Sequence, residues 1–323
     1  MDRFKIYRDG TDEAPTQSKH TLSTSDTPYS SGFRYSYHLT NGNQTSVGAD
    51  DTIVMQTRIE AQDMATCGWN YTDSNSFITI SYWVKSSVSQ TFYNLIRVLD
   101  GTAQAYDFPI ALTADTWKKV THSIPGNSNI TFDNDNGVGF LLEWTLFRGT
   151  NDTTSGHTSN AWATYSGTDR LPDMTNTWYD TDDATFELTG VQLEVGSQAT
   201  PFEHRRFSEE LSLCQRYFQV LGGSNGTYDT MSTGACASTT IAYVPHRLVT
   251  SMRATPSFTL LGAASDFMYT RDGGDHTPSA IVFDQAGKNM IAVKMTGTSL
   301  NQDDATRLFN MNTNGGYLMD AEI

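Results

Sequence analysis

The sequence predicts an all-β protein, two β-sandwiches joined by one short helix. Three observations carry that reading. Short runs of alternating apolar and polar residues recur along the chain, rich in β-branched and aromatic types and separated by Gly, Asn, Asp and Ser. Only 18% of residues are charged while 11% are aromatic, a balance that suits pleated sheets better than solvated helices. All six tryptophans fall before residue 180 and none follows, a break that divides the chain. The expected organisation is a first sandwich over 1–205, a linker or oligomerisation helix over 206–222 and a smaller C-terminal sandwich over 223–323.

In chain order, Phe77 to Val84 is the first legible strand, followed by a Ser-rich turn. Asn94 to Val98 is the second. Trp117 to Ile124 alternates until Pro125-Gly126 turns the chain. Gly139 to Phe147 is almost continuously apolar, as a central strand would be. Trp83, Trp117 and Trp144 sit inside these patterns and are read as core. Residues 149–183 form a long polar segment that nonetheless carries Trp162, Tyr165, Trp178 and Tyr179, and loops of that length are functional or disordered. Phe186 to Val195 closes the sandwich, and Pro201 holds Thr200 extended and ends the pairing.

Ser208 is the expected N-cap of the helix, with Glu209 and Glu210 in the first turn where the helix dipole favours them. Phe207, Leu211, Cys214 and Phe218 share one face, and Gly222-Gly223 ends the element. So short a helix is marginal alone, so its apolar face packs on its own domains or on copies of itself. Strand character resumes at Thr239–Val244, Ser257–Leu261, Phe267–Thr270, Ala280–Phe283 and Ile291–Met295.

Charge and motif content narrow the function. Residues 1–205 hold 25 acidic and 13 basic side chains, and the whole chain carries −15, so nucleic acid would be repelled. No apolar run is long enough to cross a bilayer as a helix, and the opening MDRFKIYRDG has no apolar signal core. Cys67, Cys214 and Cys236 are odd in number and far apart, which reads as buried thiols made in a reducing cytosol. The seven histidines are scattered singly, and nucleophile elbows and phosphate loops are absent. Glu143 and Glu194 would act as a glycosidase pair only if folding set them about 5–10 Å apart. An enzyme is not expected.

An ordered string of segments resembles structural proteins of tailed bacteriophages. It comprises Asp2-Arg3-Phe4, the strand Ile78 to Ser86, Thr116-Trp117-Lys118-Lys119 with Ile124-Pro125-Gly126, and the closing Leu188-Thr189-Gly190-Val191-Gln192-Leu193-Glu194-Val195-Gly196. Ala199-Thr200-Pro201-Phe202-Glu203-His204-Arg205 and Cys214-Gln215-Arg216-Tyr217-Phe218 complete it. The resemblance covers about residues 1–220. It implies a jelly-roll domain like a carbohydrate-binding module, carried on a tail fibre or related virion protein made in the host cytoplasm. Met252-Arg253-Ala254-Thr255-Pro256 is similar to a segment of small C-terminal domains in the same proteins.

The resemblance implies recognition of a host-surface glycan, for which flat rings beside amides and carboxylates are needed. Trp162, Tyr165, Trp178 and Tyr179 supply these ingredients, or else cap the sandwich. A structural Ca²⁺ is compatible with the family, and Asp133 and Asp135 are the candidate ligands, their other reading being a solvated turn. Fibre symmetry and the short helix imply a homotrimer that also contacts other virion proteins. The rival reading is a head or tail decoration protein that binds only virion partners.

Overall fold

The computed structural model describes residues 4–223 and 230–322. Asp2 and Arg3 of the opening motif lie outside them. The chain divides into two compact units, one up to His204 and one from Arg205 to Glu322.

The first unit contains strands β1 (Lys5–Asp9), β2 (Thr16–Thr21), β3 (Tyr35–Thr40), β4 (Thr52–Glu60), β5 (Phe77–Ser86) and β6 (Gln90–Val98). It continues with β7 (Gln104–Leu112), β8 (Lys118–Pro125), β9 (Val138–Arg148), β10 (Ala163–Thr164) and β11 (Thr185–Val195). Short helices α1 (Thr27–Ser30), α2 (Ala61–Thr66) and α3 (Thr177–Asp180) sit in the connections. A six-stranded sheet runs β1-β4-β9-β6-β7-β10 and a five-stranded sheet runs β2-β3-β11-β5-β8. This is the expected jelly-roll sandwich. Its core forms where inward residues of β5 (Ile78, Ile80, Tyr82, Val84) meet those of β9 (Phe140, Leu142, Trp144, Leu146).

The observed strands β5, β6, β8, β9 and β11 match the sequence expectation to within a few residues. β2, TQSKHT, is exposed at every position, so no hydrophobic alternation announces it. β7 contains Pro109 opposite Tyr93 of β6. β10 pairs with β7 only at Gln104 and Ala105, so at Pro109 the strand is an edge and the missing N–H costs no ladder bond. Gly190 forms a bulge in β11 with φ +64°, where a Cβ would collide with the Phe33 ring. The bulge adds one residue to β11 and keeps Val191 and Leu193 against the core.

The second unit begins with α4 (Phe207–Gln215) and continues through β12 (Phe218–Gly222), β13 (Thr230–Cys236), β14 (Ile241–Arg247), β15 (Ser257–Leu261) and β16 (Phe267–Arg271). It ends with β17 (Gly274–His276), β18 (Ala280–Ala286), β19 (Met290–Thr296), β20 (Ala305–Asn310) and β21 (Gly316–Asp320). A three-stranded sheet, β12-β21-β15, faces a seven-stranded sheet, β17-β16-β20-β13-β14-β19-β18. Val244, Phe267, Tyr269, Val293, Met295, Leu308, Tyr317 and Met319 fill the space between.

The helix differs from expectation at both ends. Arg206, not Ser208, is the cap residue, and its backbone N–H donates to the Glu209 carboxylate at 3.3 Å. Phe218 is not helical: it opens β12 and pairs with Asp320. Sheet pairing overrides helical propagation here, because the carbonyls of Arg216 and Tyr217 accept N–H groups from Arg253 and Ala321. Phe207 and Leu211 are exposed, Phe207 at 81%.

Candidate functional site

Parity decides which side chains of a strand leave the core. In β5, Ile78, Ile80, Tyr82 and Val84 point inward, so Thr79, Ser81, Trp83 and Lys85 point outward. In β11, Phe186 and Leu188 are core, so Glu187 and Thr189 are outward. In β3, Tyr37 and Leu39 are core, so Ser36 and His38 are outward. Register then aligns them. Glu187 lies opposite both His38 and Lys85, and Trp83 lies opposite Thr189 and Lys119. His20 of β2 lies opposite Ser36.

The result is a polar cluster on the outer face of the five-stranded sheet, centred on Glu187, whose side chain is only 3% exposed. One carboxylate oxygen accepts Lys85 Nζ at 2.8 Å. The other accepts Ser36 Oγ at 2.6 Å and lies 2.8 Å from His20 Nδ1. His38 Nδ1 is 3.7 Å from the first oxygen, beyond hydrogen-bond reach, and has no hydrogen-bond partner among the described residues. Burial pushes the Glu187 carboxyl up, but the bonds from Lys85, Ser36 and His20 outweigh it and leave the group below the usual carboxylate range. Burial holds His38 below the usual histidine value against the opposing pull of Glu187.

Two tryptophans border this cluster. Lys118 pairs with Val84, which sets Trp117 beside Lys85 and diagonally from Trp83 on the same face. The Lys85 ammonium sits 5.0 Å from the Trp117 ring, and Trp117 Nε1–H donates to Asp26 Oδ1 at 2.9 Å. Asp26 is held down at about 2, chiefly by the Ser23 backbone N–H, with Trp117 and Lys85 adding to it. Trp83 and Trp117 are half-buried, whereas Trp144 is fully enclosed. The sequence reading of all three as core therefore holds for Trp144 alone. Tyr82 takes the inward position, and parity sends Trp83 out.

The four aromatics of the 149–183 segment separate in space. Trp178 and Tyr179 are 0% exposed and belong to the core, so neither offers a ring face to a sugar. Their contacts explain the burial. Trp178 Nε1–H donates to the Thr185 carbonyl, Tyr179 stacks on Phe147 at 4.4 Å and its hydroxyl donates to Asp51. Trp162 is half-buried, packs on Tyr106 and donates to the Pro125 carbonyl. The Tyr165 ring already carries the Arg97 guanidinium at 3.7 Å.

This segment also closes a buried ionic network on the outer side of the six-stranded sheet. Arg148 bridges Glu143 and Asp152 at 2.7 Å each, and Arg170 joins Asp152 at 2.5 Å. His157 sits between Asp107 and Asp169 at 2.8 and 2.7 Å. Glu143 belongs to β9 and Glu194 to β11, so the two carboxylates lie on different sheets and share no cleft.

Asp133 and Asp135 lie in the turn before β9. The Asp133 backbone N–H donates to Asp100, and Asp135 Oδ1 accepts the Gly137 N–H. Burial raises the Asp100 pKa and both carboxylates are close enough to add to it, but among the described residues these three carboxylates do not gather their ligand atoms within 4.8 Å of one another. Phe207, Leu211 and Cys214 of the expected oligomerisation face are on α4, and Phe218 has left it.

The Glu187 cluster escaped the sequence reading because its members lie up to 167 positions apart. The available signal was parity: Glu187 and Lys85 are charged residues at outward positions of strands whose inward positions are apolar.

No family model matches the chain, and no curated protein matches it. Several solved structures resemble it over part of its length. The enzymatically active domain of tailspike protein 4 from bacteriophage CBA120 is 10% identical with a TM-score of 0.33, covering 60% of this chain and 19% of the tailspike. A xylan-binding domain from Paenibacillus barcinonensis is 11% identical with a TM-score of 0.30, over 60% of this chain and 87% of that domain. The N-terminal cellulose-binding domain of a Cellulomonas fimi β-1,4-glucanase is 11% identical with a TM-score of 0.30, over 61% and 90%. At such scores the likeness carries nothing further about this chain.

Proposed function

We propose that the chain is a non-catalytic, glycan-binding protein of a phage fibre, and that it recognises its ligand on the outer face of the five-stranded sheet. The observation that supports this most is the diagonal pair Trp83 and Trp117 beside Glu187, Lys85, Asp26 and His20. Half-buried indoles offer flat apolar faces to the C–H side of a sugar ring, and the adjacent charged groups can bond its hydroxyls. Trp83 is the better platform, because its indole N–H has no partner among the described residues. A glycan array probed with labelled protein tests the reading. Trp83→Ala and Trp117→Ala should each weaken binding, while Trp162→Ala should not. No binding by the unaltered protein would remove it.

The fibre assignment rests on the phage-like segments, and trimerisation rests on Phe207 and Leu211 remaining exposed on α4. Mass photometry should give three times the 35.7 kDa of one chain, and Phe207→Asp should shift it to monomer. A stable monomer of the unaltered protein would leave the decoration-protein reading in its place.

A further inference from the structure

We propose that His20, His38 and Glu187 form a binding site for one divalent transition-metal ion of the zinc class. The three come from adjacent strands, β2, β3 and β11, and their ligand atoms all lie within 4.8 Å of one another. The two imidazole rings are 5.4 Å apart, centre to centre, with one carboxylate oxygen 2.8 Å from His20 Nδ1 and the other 3.7 Å from His38 Nδ1. His38 Nδ1 is sealed from solvent and makes no hydrogen bond among the described residues, an unusual state for a buried polar atom unless something else fills its hydrogen-bonding role.

The donor chemistry selects the ion. Ca²⁺ and Mg²⁺ take shells of oxygen, whereas two imidazole nitrogens and one carboxylate suit Zn²⁺, Co²⁺, Ni²⁺ or Cu²⁺. The carboxylate is already oriented from behind, by Ser36 on one oxygen and Lys85 on the other. A metal bound through the oxygen nearer His20 leaves the Lys85 bond in place. Lys85 is also the main opposing term, since its charge shares the carboxylate with the ion and weakens its hold. The His20 side chain is 45% exposed, so the site opens to solvent, and three protein ligands leave a position for water or a ligand oxygen. The site shares His20 and Glu187 with the proposed glycan face but not its tryptophans, so metal titration and the Trp83→Ala and Trp117→Ala binding assays can fail separately.

Titrating untagged, full-length protein with ZnCl₂ by calorimetry, and with CoCl₂ by visible absorption, tests it. The expected result is about one ion per chain with Co²⁺ bands of a low-coordinate site, and CaCl₂ giving no heat. His20→Gln and His38→Gln should each weaken Zn²⁺ binding at least about tenfold, the scale on which even outer partners act. His20 lies on an exposed edge strand, so its variant should retain the wild-type circular dichroism. Absence of Zn²⁺ binding by the unaltered protein at millimolar ion would overturn the site. So would binding that survives either histidine substitution, since the ion would then sit elsewhere, for example at His157.

Discussion

On the outer side of the six-stranded sheet, Glu143, Arg148 and Asp107 are buried; Arg148 joins Glu143 to Asp152, and Asp107 joins His157, both in the 149–176 segment. On the outer side of the five-stranded sheet, Glu187 is equally buried, but its partners include a solvent-exposed histidine and its neighbours are half-buried tryptophans. Both faces carry charge where a strand alternates outward. The first uses it to fix a long connection. The second leaves part of it available to a ligand. A polar residue inside a strand pattern therefore says which face it is on, and the covering segment decides whether that face is structural or functional.

Substitutions of tryptophan should separate the two regions most strongly. Trp178→Ala empties a core position and should cost about 3–5 kcal/mol in chemical denaturation. Trp83→Ala, on the outer face, should cost about 1 kcal/mol, on the scale of a partly buried ring. Equal losses would mean that Trp83 is core after all. Next come the charges. Arg148→Ala leaves Glu143 buried without its cation and should cost about 3–5 kcal/mol. Lys85→Ala leaves Glu187 two other partners and should cost about 1–2 kcal/mol.

The smallest expected effect is on pH. Burial alone would lower the His157 pKa, but bonds to Asp107 and Asp169 raise it above the ordinary histidine value. Its contribution is therefore complete below about pH 6.5 and fades as pH rises through the raised value. Amide exchange over residues 153–160, corrected for intrinsic rate, should quicken as pH rises above about 6.5 through the raised value. His157→Gln should abolish that dependence, and an unchanged profile in the variant would assign it to another group.

Much of this architecture was legible from periodicity. β5, β9 and β11 announce themselves through Ile78-Ile80-Tyr82, Phe140 to Phe147 and Phe186-Leu188. β2 did not, because every residue of an exposed edge strand can be polar. Gln219, buried in β12 and bonded to Gln215, Thr250 and Val249, carries no sequence mark of its burial. Phe207, Leu211 and Cys214 lie on α4 as their spacing predicts, but Phe218 does not, because its pairing with β21 is a long-range event invisible to local spacing. For the site, aromatic content in a polar segment pointed to 149–183, yet Trp178 and Tyr179 turned inward. The cluster around Glu187 depends on five strands meeting in register, which no single segment encodes.

The central claim is that the ligand-facing surface is the outer side of the five-stranded sheet. The most direct test compares labelled wild-type protein with Trp83→Ala, Trp117→Ala, Trp162→Ala and Tyr165→Ala on one glycan array. The first two should lose at least about tenfold in affinity, as for removal of an aromatic anchor, and the last two should bind as wild type. Loss confined to Trp162→Ala and Tyr165→Ala would contradict the claim and move the site to the six-stranded sheet.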